Sequence, residues 1–337
     1  MEFQNQEFVP CCQSWLTDEF KTIPMGEDLW NGPAAQALRQ SMFDQSFRYC
    51  KTQYCQKPQI ELTPEHQKLN YAPINKENWQ AMFAELNEMP NGPTFLNINA
   101  DIRCNLACPS CRKEKVVKVD SEQTSRLVEI ENFINLHKGT LRRLQISNGE
   151  VFFSPWLRAL VKKLNPIDFP KLTYVNVITN GLLFDAQTYQ QLLPGIEYVK
   201  SVSVSMDAGD QETFQAVRGG DWDRLLCNLD WMADLRKQEK IKYLQCNFTV
   251  QKNNYQSIPA FLKIARSFAV DSIKFTALFD WDNMAIDYQN HAVHLSSHPE
   301  NKMLRKIFNK IPPDHRIWWA LPIPDADVYQ QPEPLHE

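Results

Sequence analysis

The chain has 337 residues, 43% hydrophobic and 23% charged, a globular composition that excludes a disordered, collagen-like or coiled-coil chain. With 36 basic and 40 acidic side chains the net charge is −4, so no basic excess points to nucleic acid or an anionic membrane. The length suggests about two domains. No run approaches about 18 uninterrupted apolar residues. Residues 1–6 carry Glu2 and no basic stretch, so no secretory start is read there. The expectation is a soluble, cytoplasmic protein, whose grouped thiols are metal ligands more often than disulfides.

In chain order, residues 1–60 hold Cys11, Cys12, Cys50 and Cys55 with little strand periodicity. Leu29, Trp30, Ala34, Ala37 and Leu38 predict a helix over 28–42. Trp79, Met82, Phe83 and Leu86 predict another over 75–87. Pro90, Gly92 and Pro93 then break the chain. From Thr94 the pattern alternates. Strands are predicted over 95–100, 141–147, 174–179, 199–206, 243–250 and 272–278. Helices are predicted over 122–137, 155–164, 185–193, 222–238 and 257–268. Short runs of Val, Ile, Phe and Leu separated by helices argue for an α/β fold with a parallel sheet and right-handed crossovers. Loops at the carboxyl ends of the strands would carry the site. From 280 the chain is polar, then Pro-rich, and reads as a tail. The expected units are 1–60, 61–93 as a helical linker, 94–285, and 286–337.

The first predicted strand runs into Asp101-Ile102-Arg103-Cys104-Asn105-Leu106-Ala107-Cys108-Pro109-Ser110-Cys111, a C-x3-C-x2-C loop. Three soft sulfur ligands on one short loop suit zinc or an iron–sulfur cluster. Zinc would want a fourth ligand, and the nearest downstream His is His137. A cluster with three protein ligands leaves one iron open to an outside ligand.

This loop, placed after the first strand of a βα series, resembles the cluster loop of the radical S-adenosylmethionine (radical SAM) superfamily. The resemblance implies that Cys104, Cys108 and Cys111 hold a 4Fe–4S cluster. It also implies that the amino and carboxylate groups of S-adenosylmethionine chelate the fourth iron, and that electron transfer cleaves the sulfonium to a 5′-deoxyadenosyl radical. Ser110 stands where the family often has an aromatic. Other strand ends agree. Asn148-Gly149-Glu150 resembles the family's G-G-E, with Asn for the first Gly, and implies contacts to the cofactor's amino group. Thr179-Asn180-Gly181 resembles T-N-G. Ser203, Ser205 and Asp207 lie in a segment resembling S-x-D, followed by Arg218. In related enzymes the Ser and Arg hold the cofactor's carboxylate or ribose, for which a guanidinium gives a bidentate grip. Asn247 on the fifth strand is a further candidate.

Phe8-Val9-Pro10-Cys11-Cys12-Gln13-Ser14-Trp15, Leu29-Trp30-Asn31-Gly32, Leu38-Arg39-Gln40-Ser41 and Phe47-Arg48-Tyr49-Cys50, with Cys55, resemble a SPASM-type auxiliary cluster domain, here ahead of the barrel. Four cysteines allow one auxiliary 4Fe–4S cluster at most. Whether Cys11, Cys12 or both ligate is open, and a zinc knot is the structural alternative. Cys227 and Cys246 read as buried small hydrophobes. His291, His294 and His298 read as a solvated loop. The implied fold is a partial (β/α)6 TIM-like barrel with an N-terminal SPASM-like iron–sulfur domain. The implied function is modification of one residue of a ribosomally synthesised peptide by cross-linking, epimerisation or tyrosine backbone excision. Partners would be the precursor peptide, a small leader-binding protein and an external electron donor, with no nucleic acid or membrane. The alternatives are a radical enzyme for a sugar or nucleotide, and a metal-stabilised binding protein without turnover.

Overall fold

The computed structural model describes residues 2–4, 7–9, 16–17, 28, 30–43, 46–50, 92–280 and 284–320. Cys11, Cys12, Cys55 and the helix predicted over 75–87 lie outside them. The chain divides into two units, the first comprising Met1–Ala100, Ser121–Leu144 and Pro166–Leu172, the second Asp101–Asp120, Gln145–Asn165 and Thr173–Glu337.

In the first unit β1 (Glu2–Gln4) and β2 (Glu7–Val9) form an antiparallel hairpin. Helix α1 (Pro33–Phe43) follows. It starts five residues later than the apolar spacing predicts, because Asp28 accepts the amides of Trp30 and Asn31 at 2.9 and 2.8 Å. Pro33 then supplies a first helical residue that needs no amide partner. Strand β3 (Phe95–Asn99) pairs in parallel with β1, with Phe3 opposite Ile98. Helix α2 (Ser121–His137) buries Leu127, Ile130, Phe133 and Ile134 at helical spacing. The His137 ring packs 4.5 Å from that of Phe133. Strand β4 (Arg143–Ile146) straddles the two units. Cys50 is half-buried and bridges Leu16 in antiparallel fashion.

The second unit continues with α3 (Pro155–Lys163), β5 (Tyr174–Thr179), α4 (Ala186–Gln191), β6 (Val199–Ser205), α5 (Gln211–Val217) and α6 (Trp222–Lys237). Then come β7 (Tyr243–Val250), α7 (Ile258–Ser267), β8 (Ser272–Ala277), α8 (Tyr288–His291), α9 (Asn301–Phe308) and β9 (Ile317–Ala320). Strands β5 to β9 are parallel neighbours in chain order. The fold is therefore α/β. Ser154, Asp185, Asp210 and Asp221 cap α3 to α6, each side chain accepting the amide three residues on, which satisfies a donor the helix itself cannot.

Two faces of this sheet differ. Val177, Val202, Val204, Leu244, Cys246, Phe248, Ile273 and Phe275 are buried, and the registers put them on one side. Phe248, Phe261 of α7 and Phe275 form a ring cluster with centroids 4.8 to 5.7 Å apart. The other side carries Asn176, Ser203, Gln245, Asn247, Thr249, Lys274 and Thr276 by the same registers. Parallel sheets are ordinarily apolar on both faces, so this polar side is a lining rather than a core.

The segment read as a tail from 280 is structured through 320. Its helices α8 and α9 lead to β9, which pairs with β8 through Ile317, Trp318 and Trp319. Trp319 stacks 4.6 Å from Phe275. The Pro-rich character hid this strand, because its apolar run is only four residues long. Cys246 is buried as expected, but Cys227 is exposed, since it lies on the outer side of the α6 stripe of Leu225, Leu229 and Met232. The histidines are not a solvated loop. His298 is buried, with its ring nitrogens 3.1 Å from the Asn290 carbonyl and the Glu300 amide.

Candidate cluster and cofactor site

The cysteine loop is anchored at its first residue. Asp101 is fully buried. It accepts the Arg103 amide at 3.0 Å and pairs with the Arg103 guanidinium at 2.5 Å. It also receives the hydroxyl of Ser154, the residue that caps α3. The loop closes through the Cys104 amide on the Val116 carbonyl and the Cys111 amide on the Cys108 carbonyl, both 2.8 Å. Cys104 and Cys108 are buried and Cys111 is exposed. Each sulfur accepts one N–H. The donors are the Leu106 amide for Cys104 at 3.4 Å, the Arg218 guanidinium for Cys108 at 3.6 Å and the Arg112 guanidinium for Cys111 at 3.5 Å. Burial raises the Cys104 thiol to about 11 and raises Cys108 too, Arg218 opposing the latter. A metal that binds there must therefore displace protons.

Gly149 follows Asn148, and both have positive φ, +54° and +70°. Asn tolerates that region and Gly requires no exception. A Cβ on Gly149 would lie against the Arg103 carbonyl and 2.5 Å from the Asp101 carbonyl. The glycine thus lets this turn touch the cysteine loop backbone to backbone, sealed by the Glu150 amide on the Arg103 carbonyl at 2.9 Å.

Glu150 is fully buried. Its carboxylate accepts the Thr179 hydroxyl at 2.7 Å, the Asn180 amide at 2.7 Å and the Phe152 amide at 3.1 Å. Burial raises its pKa, while these donors and Arg218 pull the other way. Asn180 in turn donates to Asn105 inside the cysteine loop at 2.9 Å. Glu150, Thr179 and Asn180 therefore clamp three strand-end loops together, a role the motif alone does not disclose.

Arg218 caps α5. Its guanidinium pairs with Asp207 at 2.5 Å. Burial works against the Arg218 charge, but Asp207 and Cys108 overcome it and the pKa rises. Asp207 accepts the Thr249 amide at 2.6 Å. Breaking a buried pair of this kind costs about 3–5 kcal/mol. The buried Arg218 Nε has no partner among the described residues.

Of the predicted site residues, the structure brings Cys104, Cys108, Cys111, Gly149, Glu150, Thr179, Asn180 and Arg218 into one bonded network. Ser203, Ser205 and Asn247 lie on the polar side of β6 and β7. Ser203 reaches Asn176 at 3.5 Å and Asn247 accepts from Gln245 at 2.6 Å. Asp101, Asn105, Arg112 and Asp207 are members that sequence reasoning missed. Their acidic, amide and basic types flank the motifs, but their partners are set by the fold.

The donor set suits a polynuclear centre. The three sulfurs share one loop. Thiolates of an iron–sulfur cluster sit on different irons.

No family model matches the chain. A GTP 3′,8-cyclase of Staphylococcus haemolyticus is 27% identical over 174 residues, 49% of this chain and 48% of that protein. A probable GTP 3′,8-cyclase of Thermoplasma volcanium is 25% identical over 173 residues, 50% of this chain and 49% of that protein. The chain thus spans about half the length of the curated relatives it matches. Among solved structures, Streptococcus suis SuiB bound to S-adenosylmethionine shares 16% identity at a TM-score of 0.46, covering 77% of this chain and 58% of that one. No helix among the described residues is long and apolar enough to cross a membrane.

Proposed function

We propose that Cys104, Cys108 and Cys111 hold a 4Fe–4S cluster and that the loops around it bind S-adenosylmethionine for radical chemistry on a peptide. The observation that carries this reading is the loop itself, with three sulfurs each answered by an N–H donor and tied to the next two strand ends. When bound, the cluster supplies the electron that cleaves the sulfonium to a 5′-deoxyadenosyl radical, which abstracts a hydrogen from the substrate. The free Nε of Arg218 suits the cofactor's carboxylate. The Glu150 carboxylate, together with the carbonyls of the Asn148–Gly149 turn, suits its ammonium. Ser203, Ser205 and Asn247 supply hydroxyl and amide groups on the polar side of the sheet for ribose or substrate.

The peptide reading, a residue of a ribosomally synthesised peptide, is supported by Cys11, Cys12, Cys50 and Cys55, whose pattern resembles an auxiliary-cluster domain. A leader-binding partner protein and an external electron donor belong to the same proposal. A second reading, a small anionic molecule such as a nucleotide, is favoured by the curated relatives' name. It is also favoured by Lys274, which lies on the polar side of the sheet opposite Asn247. Lys274 sits 4.2 Å over the Trp318 ring and has no carboxylate partner among the described residues.

The test is anaerobic. Wild-type protein should bind iron and sulfide and form 5′-deoxyadenosine. Changing all three loop cysteines to Ala should abolish 5′-deoxyadenosine and lower bound iron by one cluster's share, while iron at the N-terminal cysteines stays. Cleavage persisting in that variant would reject the site. Mass spectrometry after co-expression with candidate precursors, set against incubation with nucleoside triphosphates, separates the two substrates.

A further inference from the structure

Resting on the cluster assignment above, we propose that Arg112 and Arg218 are positioning residues that hold cationic N–H donors against two cluster ligands and so raise the cluster's reduction potential. The donors are allotted one per sulfur. Cys104 receives a neutral backbone amide, whereas Cys108 and Cys111 receive guanidinium groups at 3.6 and 3.5 Å. Neither guanidinium is loose. Arg112 is fixed by its second donor on the Ile102 carbonyl at 2.5 Å. Arg218 is fixed by Asp207 at 2.5 Å, and Asp207 is held by the Thr249 amide at 2.6 Å.

Uptake of one electron makes the cluster and its thiolates more negative. Hydrogen bonds to the sulfurs and nearby positive charge stabilise that state over the oxidised one, and these are the levers by which a protein sets such potentials. A purely structural account explains the Arg218–Asp207 pair, but not the placement of a second, independent cation on Cys111, the exposed cysteine of the loop. Two cations against three thiolates would ease reduction of a centre whose ligands carry net negative charge.

The experiment is a potentiometric titration of the reconstituted full chain, followed by electron paramagnetic resonance, for wild type, Arg112→Gln and Arg218→Lys. Iron and sulfide are measured on each sample first. Lysine keeps a charge opposite Asp207, but its point-like ammonium cannot reproduce the fork that serves Asp207 and Cys108 together. Both variants should keep the loop cluster, and their midpoints should move negative. At the wild-type midpoint the ratio of reduced to oxidised cluster should fall about threefold or more, tenfold being about 59 mV for one electron. Loaded variants with the wild-type midpoint would overturn the proposal. Arg112 lies on the loop and outside the buried ion pair, so a wild-type midpoint in Arg112→Gln alone also overturns it if Arg218→Lys does not fold. Wild-type protein that binds no loop cluster would instead overturn the assignment on which the proposal rests.

Discussion

At the scale of single residues, Glu150 is the side chain on which most of the site's geometry turns. It is buried, and three donors converge on it, two from Thr179 and Asn180 at the end of β5 and one from its own turn. Glu150→Gln keeps the shape but replaces one acceptor oxygen with an amide group that faces donors. Each lost charge-assisted bond is worth about 1.5–3 kcal/mol, so a stability loss of that order is expected in urea unfolding. The Thr179–Gly181 turn should loosen with it, read as faster amide exchange there. A variant as stable as wild type would show that the clamp is not formed. The motif marked Glu150 as a residue of consequence, but its engagement by Thr179 and Asn180 could not be read from the sequence, because its partners lie 29 and 30 positions away. Asp207 was missed for the same reason. Its worth comes from Arg218, and the S-x-D resemblance drew attention to the serines instead.

Among the elements, β5 and β7 have the predicted bounds, and buried and half-buried residues alternate through both without a break. Helices α2, α3, α6 and α7 fall within a residue or so of the prediction, since their apolar spacing is regular and Ser154 and Asp221 cap α3 and α6. What was not legible is short or depends on partners, namely α5, α8, α9, the β1–β2 hairpin and β9. The turn between β4 and α3 yields a contrast that tests how the cysteine loop is held. Gly149 and Gly219 both have positive φ, but a Cβ on Gly149 meets backbone carbonyls, while on Gly219 the nearest atom is 4.0 Å away. Gly219→Ala should therefore cost only the left-handed penalty of about 1–2 kcal/mol. Gly149→Ala should cost more than that and force Arg103 away, lowering iron incorporation after reconstitution. Equal thermal stability and equal iron content in the two variants would refute the backbone contact.

For the molecule as a whole, stability against acid should depend on how the last parallel strand is fastened. Asp314 is nearly buried and lies between two guanidinium groups, Arg266 of α7 at 3.0 Å and Arg316 at 3.0 Å. The Arg316 side-chain bonds come first in holding its carboxyl well below the usual range, and Arg266 adds to them. The same turn sets β9 in place. The Ile317 amide donates to the Asp314 carbonyl at 2.9 Å and the Ile273 amide of β8 to the Arg316 carbonyl at 2.8 Å. A carboxyl whose pKa is depressed by folding contributes stability above its unfolded value, about 3.9. That contribution is lost as pH falls toward the folded value, so the decline begins below about pH 5. Asp314→Asn should cost roughly 1.5–3 kcal/mol at neutral pH through its lost charge-assisted bonds. The gap to wild type should then narrow as the buffer is taken from about pH 5 to pH 3. Denaturant unfolding at a series of pH values measures both. A gap that stays constant over that range would mean that the ion triad does not fasten the strand. Trp319 packs on Phe275 and Phe308, so a loosened β9 would open the apolar side of β8, and tryptophan fluorescence should follow the same pH course.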